Sequence, residues 1–535
     1  MTFYKNPLVL SILSGVLLTL SWPVDGLTLL VFGGLIPLFF VEHQIINDSN
    51  KRKKLRLFAL SYLSFLIWNI GTTWWIVNSS VFGMIFAIVC NTLFYALMIM
   101  LFHWSKKRLP LRTAYIFLVT LWISFEKFHL EWDFSWPWLN LGNVFSEDIQ
   151  WIQWYEYTGS FGGSLWVLLI NIGLFEVLKN HKASLKNTVW IKKISPWLIG
   201  IALPIALSLI IFQREKKEVP TTEVLLLQPN IDPYNEKYEK ENDYYFDLMT
   251  QMTGNQITEQ TRYIFTPETY FGAGFGASLK EFNETPLHHK IDDFLGHHPE
   301  IQLITGVQSY NVYRTDTPPT PTANFIREGV WLDFYNSALK MEYQQKPEFY
   351  HKSKLVVGVE NMPYKAFFRP LLGDFLLDLG GTVSSRVTQD YRSVFEHSKI
   401  KFKTGPIICY ESIYGEFVTA YVRKGAHFLA IITNDAWWGN TAGHKQLLSY
   451  ARLRAIENRR SIVRSANTGI SAIINAKGEI THKLPYEIQG VLKGKFAPNE
   501  KITFYTQYGD YIARWSGFVA VLFFLIAISG RLKNP

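Results

Sequence analysis

The chain has 535 residues, too many for one small core, with 48% hydrophobic, 16% aromatic and only 18% charged residues. A soluble globular chain carries nearer about 25% charged residues, so the shortfall points to lipid-facing segments. The net charge of +9 does not mark a nucleic-acid binder, because the basic residues cluster in short loops between apolar runs.

A stretch of about 20 apolar residues can cross a bilayer as a helix. Such stretches fall at 7–23, 27–43, 56–77, 80–104, 111–128, 160–178, 195–213 and 512–530, which predicts about eight spans. The first has Lys5 before its apolar run, as a signal peptide would. It lacks a small-residue cleavage site and further spans follow, so it reads as an anchor. Loop 48–56 carries Lys51, Arg52, Lys53, Lys54 and Arg56, loop 105–112 carries Lys106, Lys107, Arg108 and Arg112, and loop 179–193 carries five lysines. The loops near Asp25 and Ser79 carry no Lys or Arg, and segment 129–158 is acidic. This alternation puts the basic loops and both termini in the cytoplasm and the long segment 214–511 outside. Segment 129–158 also holds Trp132, Trp136, Trp138, Trp151 and Trp154, either as an aromatic belt or as a lipid-facing approach to the external domain.

Three domains follow: helices 1–7 in 1–213, an external domain in 214–505, and a last helix with a short tail in 506–535. In the external part, strand-length apolar runs recur at 223–227, 263–265, 301–307, 406–409, 427–433, 470–475 and 490–495. Helical patterns at 234–252 and 443–457 fall between them. Strands alternating with helices predict an α/β layered fold. Residues 315–322, rich in Pro and Thr, read as a surface loop.

Three short segments carry possible chemistry. Residues 407–411 read Ile-Ile-Cys-Tyr-Glu, an apolar strand ending on Cys409. Residues 263–268 form a second strand ending in Thr-Pro-Glu, which places Glu268 at a sheet edge. Residues 352–360 read Lys-Ser-Lys-Leu-Val-Val-Gly-Val-Glu, with Lys352 and Lys354 both available and Glu360 at the end. A thiol attacks as thiolate and needs a base or a nearby cation. Glu268 could take the proton, and a lysine could hold the oxyanion that forms on an attacked carbonyl. The only other cysteine, Cys90, lies in an apolar run, so no disulfide is expected. No Cys/His spacing of the metal-binding kind occurs, and neither metal nor cofactor is expected.

The order Glu…Lys…Cys resembles the nitrilase (carbon–nitrogen hydrolase) superfamily, with Lys352 eight residues before Glu360 and Cys-Tyr-Glu at 409–411. The stretch Thr-Asn-Asp-Ala-Trp-Trp-Gly at 433–439 adds to it. The eight-span frame narrows the resemblance to the apolipoprotein N-acyltransferase family. Gln-Pro-Asn-Ile at 228–231, Pro-Trp-Leu-Asn-Leu-Gly at 137–142, and segments 452–458, 465–470 and 506–510 are similar too. The resemblance implies an αββα sandwich with Cys409 as nucleophile, Glu268 as general base, Lys352 as oxyanion partner and Glu360 as a supporting carboxylate. It implies active-site support from Tyr410 and Glu411. Where the family has a functional Trp after the 228–231 stretch, the nearest aromatic here is Tyr238. Trp437 is a possible substrate contact, and segment 364–380, with Phe367 and Phe368, a possible membrane-facing lid.

The implied reaction takes an acyl chain from a phospholipid onto Cys409. It then passes the chain to the amino group of a diacylglyceryl-cysteine at an apolipoprotein N-terminus. The implied setting is the bacterial inner membrane with the catalytic domain periplasmic, as a monomer with no nucleic-acid partner. A membrane-tethered amidase would use the same three residues. A transporter with an external binding domain would need more ionisable residues within the spans than the very few present, mainly Glu42 and Glu126 near span ends. A reporter that is active only in the cytoplasm, fused after residue 300, is expected to be silent; strong activity there would refute the topology.

Overall fold

The structure is a computed structural model that describes residues 6–46, 48–180, 187–214, 220–233, 236–237, 239–361, 364 and 385–530. Tyr238, Phe367, Phe368 and the rest of the expected lid after Tyr364 lie outside these residues. The chain forms two compact units. One comprises Met1–Val77, Val81–Arg214 and Tyr508–Pro535, the other Asn78–Ser80 and Glu215–Gln507.

The first unit is helical. Among the described residues six helices are long and apolar enough to cross a membrane: Thr28–Ile46, Lys53–Asn78, Val81–Ser105, Ser160–Lys179, Val189–Gln213 and Tyr511–Ser529. The other two expected spans differ from these. Pro7–Leu20 is a shorter apolar helix, begun by an Asn6 cap that accepts from the Leu8 amide with Pro7 in the first turn. Leu111–Glu131 carries Arg112, Glu126, Lys127 and Glu131. Buried charges in this unit have partners. Glu42 pairs with His103 at 2.8 Å and Lys106 at 2.5 Å. Glu126 accepts from the Leu141 amide at 2.8 Å, Ser164 Oγ at 2.6 Å and Trp122 Nε1 at 3.2 Å. The Glu126 carboxylate thus holds the turn at 137–142. A Cβ on Gly142 would lie 1.8 Å from the Ser160 carbonyl, so that turn admits only glycine. Of the five tryptophans in 129–158, Trp138 is buried, edge-on to Trp75 at 4.8 Å, and the other four are half-buried.

The second unit is a two-sheet sandwich. Its strands are β1 (Thr222–Gln228), β2 (Thr261–Phe265), β3 (Ala277–Ser278), β4 (Gln302–Tyr313), β5 (Asn324–Arg327), β6 (Val330–Met341) and β7 (Glu348–His351). They continue with β8 (Phe395–Glu396), β9 (Lys403–Ile408), β10 (Phe428–Thr433), β11 (Ile462–Ala466), β12 (Ala472–Ile474), β13 (Ile480–Lys483) and β14 (Gly490–Phe496). One sheet runs β14-β1-β2-β4-β6-β5, with β3 on β4 and β7 on β6; the other runs β13-β12-β11-β10-β9-β8. The central pairs β1–β2, β2–β4, β9–β10 and β10–β11 are parallel.

Side-chain alternation explains the layers. On β1 and β2, Leu225, Leu227 and Ile264 pack on the helices Asn242–Gly254 and Pro286–His297 through Tyr245, Met249, Leu287, Ile291 and Leu295. The residues of opposite parity, Tyr263 and Phe265, face Phe428 of the second sheet, with Tyr263 at 5.1 Å; Phe496 joins them 4.3 Å from Phe428. Helices Gly415–Arg423 and Ala442–Asn458 cover the second sheet. With both faces buried, the central strands read as continuous apolar runs. Phe428→Ala is expected to destabilise this unit by about 3–5 kcal/mol. The readout is a lower melting midpoint in detergent, and an unchanged midpoint would contradict the sheet-on-sheet packing.

Candidate active site

Glu268, Lys352 and Cys409 each sit just past the end of a strand. Glu268 lies three residues beyond β2 in a turn whose next residue, Thr269, has φ +48°. That turn is pressed onto β4. The Gly306 amide donates to the Pro267 carbonyl at 3.2 Å, and a Cβ on Gly306 would come within 2.6 Å of Glu268 Cα. Cys409 directly follows β9, opens the 3-10 turn Cys409–Ile413 and has φ +51°. Left-handed backbone at a non-glycine residue is strained and persists only where its surroundings hold it. Lys352 directly follows β7, and its amide donates to the Asn336 carbonyl of β6 at 2.8 Å.

The side chains converge. The buried Lys352 ammonium contacts Glu268 Oε1 at 2.9 Å and Glu360 Oε2 at 2.8 Å. Asn336 Nδ2 donates to both carboxylates, at 2.7 Å to Glu268 and 3.1 Å to Glu360. The Val356 amide donates to Glu360 Oε2 at 2.9 Å. Lys354 instead places its ammonium 5.1 Å from the centre of the Tyr414 ring. Two residues apart on an extended segment, Lys352 and Lys354 would share one face. The strand ends at His351, however, and the two side chains part company there.

Glu411 joins the nucleophile's turn to the lysine's segment. One carboxylate oxygen accepts from the Ile408 amide at 2.8 Å, just before Cys409. The other accepts from the Ser353 amide at 2.6 Å and Tyr350 Oη at 2.7 Å, on either side of Lys352. Tyr410 stacks edge-on against Tyr414 at 5.3 Å. Trp437 is half-buried on the turn Asp435–Trp438 that follows β10.

Electrostatics follow from burial and pairing. Burial pushes the Cys409 thiol well above its ordinary pKa, and the charge of Glu268 adds to this while Lys352 opposes it. The thiol therefore rests neutral. Burial alone would lower the Lys352 pKa, but Glu268 and Glu360 more than offset it and hold the ammonium charged. Burial would raise Glu360, yet Lys352 and then Arg386 bring it below the usual carboxylate range. The arrangement offers a carboxylate to take a proton from sulfur, a fixed cation for a developing oxyanion, and a nucleophile aimed by a strand end.

Sequence reasoning missed three residues here. Asn336 lies mid-strand with no motif around it. Lys237 is buried with its ammonium 3.2 Å from the Glu268 carbonyl, and burial lowers its pKa to about 8. Arg386 approaches Glu360 from a segment with no secondary-structure signal. The stretches singled out without a role prove to be fasteners. Asn467 takes the Asn230 amide on its carbonyl at 2.8 Å and donates Nδ2 to the Ile231 carbonyl at 2.6 Å. Gln228 accepts from the Ser471 amide at 2.9 Å, and Arg464 pairs with Asp435 at 2.7 Å, both fully buried. Among the described residues no cluster of metal ligands occurs.

Glu411→Gln keeps the shape but offers only one acceptor oxygen to donors on two sides. It should leave a buried amide unpaired, cost about 1–3 kcal/mol and sharply reduce acylation of Cys409. Retention of full acylation with a lowered melting midpoint would show that Glu411 is merely structural.

Two family models match the chain. Apolipoprotein N-acyltransferase N-terminal domain covers residues 14–173 and carbon-nitrogen hydrolase covers residues 322–500. A curated apolipoprotein N-acyltransferase from Chlorobaculum tepidum is 28% identical, covering 98% of each chain. One from Geobacter metallireducens is 25% identical over 95% of this chain and 93% of its own. Among solved structures, a Nesterenkonia amidase of the nitrilase superfamily is 15% identical, with a TM-score of 0.37, covering 56% of this chain and 100% of its own.

Proposed function

The chain belongs to the apolipoprotein N-acyltransferase family, and on that premise we propose that it moves an acyl chain from a phospholipid to a lipoprotein's N-terminal diacylglyceryl-cysteine through a thioester on Cys409. It is an acyltransferase and a membrane protein. The observation that carries the residue roles is the Lys352 ammonium held between Glu268 and Glu360, on a segment tied through Glu411 to the nucleophile's turn.

In the first half-reaction Glu268 takes the thiol proton as sulfur attacks an ester carbonyl of the donor. Lys352 faces the oxygen that becomes negative, where a preformed charge costs no reorganisation. Collapse of the tetrahedral adduct expels the glycerol oxygen, which regains the proton from Glu268 and leaves as a lysophospholipid. In the second, the acceptor amine attacks the thioester, its proton passes to Glu268, and sulfur leaves to recover that proton. An α-amine has a pKa of about 7.7–8.0, so much of it is nucleophilic near neutrality. Both substrates are lipids. A membrane-borne site meets them without drawing acyl chains into water at about 0.8 kcal/mol per CH₂. The setting proposed from the loop charges is the inner membrane with the catalytic unit periplasmic. A tethered amidase shares the three residues but leaves the match over residues 14–173 without a purpose.

Lys352→Met should abolish acyl-enzyme formation from a labelled phospholipid, by at least about 10²–10³-fold. Lys354→Met should keep most of it. The reverse pattern would reassign the oxyanion role and remove Glu360 from the site.

A further inference from the structure

We propose that Arg386 is the anchor for the phosphate diester of the acyl donor, beside the carboxylates that serve Cys409; this rests on the acyl-transfer reading above. The backbone of Arg386 bridges Phe334 of β6 in parallel, and the next amide, of Val387, donates to the Phe334 carbonyl at 2.9 Å. Bridged residues share a face, and so do residues two apart on a strand. Arg386 therefore points to the side of β6 from which Asn336 reaches Glu268 and Glu360.

Two of its three guanidinium nitrogens, Nε and Nη1, are buried and have no hydrogen-bond partner among the described residues. Buried donors without acceptors are rare in folded proteins and ask for an explanation. A guanidinium is planar and permanently charged, and its paired N–H groups match two oxygens of a phosphate.

The charge around it is uneven. Lys237 lies within electrostatic reach of Lys352, Arg386 and Glu268, Arg386 within reach of Glu360, and Lys352 within reach of both carboxylates. Lys352 answers the carboxylates by direct contact, and the set keeps one positive charge in excess. The acceptor brings an amine, which that excess repels in its protonated form. The donor brings a phosphate, which it attracts. A phospholipid also has an ester carbonyl within a few bonds of its phosphate, so one molecule can engage Arg386 and present a carbonyl for attack.

The test uses the full-length protein in detergent micelles and follows the mass gain on Cys409. One donor is phosphatidylethanolamine; the other is a p-nitrophenyl ester of the same fatty acid, which has no phosphate. Arg386→Gln should lower kcat/KM for the phospholipid, mainly through KM, about 10- to 100-fold more than it lowers kcat/KM for the neutral ester. Arg386→Lys, which keeps charge but not the fork, should recover part of the loss. Inorganic phosphate should slow acylation from the phospholipid in the unaltered protein by competition, and do so less in Arg386→Gln. An equal loss with both donors would make Arg386 structural and overturn the proposal. So would an undiminished rate with the phospholipid. If phosphate slows the neutral ester as strongly as the phospholipid, the subsite takes free phosphate and the assignment to the donor falls. Failure of the acyl-transfer reading itself looks different: the unaltered protein would be acylated by the neutral ester and not by the phospholipid.

Discussion

An ammonium sealed between two carboxylates organises the catalytic unit. Taking Lys352, Glu268 and Glu360 out of water is costly, and contacts of 2.9 and 2.8 Å recover that cost only if the remaining lone pairs are also satisfied. Asn336 and the Val356 amide satisfy them. The carboxylates come from different parts of the first sheet, so the ion cluster also sets where the strand ends stand. Removing any one charge would strand the others, which makes the cluster a geometric constraint as much as a chemical device.

Cys409, the proposed nucleophile, is held by a separate clamp. Burial keeps the Cys409 thiol neutral, so its reactivity depends on a base already in position. Glu411 bonds the residue before Cys409 and the residue after Lys352, and this keeps sulfur and ammonium in register. The left-handed backbone of Cys409 is the local strain that this clamp maintains. Polar fasteners at the same, C-terminal strand ends, Gln228 with Ser471 and Asn467 with Asn230 and Ile231, tie the end of β1 to the segment after β11.

The membrane-type unit uses the same logic with fewer charges. Glu126 takes three donors and shapes the turn at 137–142, and Glu42 is neutralised by His103 and Lys106. In an apolar setting a buried carboxylate without such partners would be prohibitive. The residues that look like a family signature in this half therefore act as structural fasteners.

The sequence alone determined the broad division into apolar helices and an α/β part, because hydrophobic length and alternation are local properties. It also pointed to Glu268, Lys352, Glu360 and Cys409, since each lies next to a recognisable strand end or motif. Of the eight spans it suggested, six are long and apolar enough to cross a membrane among the described residues, while Pro7–Leu20 is shorter and Leu111–Glu131 carries charges. The spacing to Glu360 favoured Lys352 over Lys354 by resemblance, and the tertiary structure adds the physical difference, as the strand stops at His351 and the two side chains diverge. Only it revealed Asn336, Lys237 and Arg386, which are distant in sequence from the motifs they serve. Their roles come from pairing across β6 and from burial, and neither leaves a periodic or local trace in the chain.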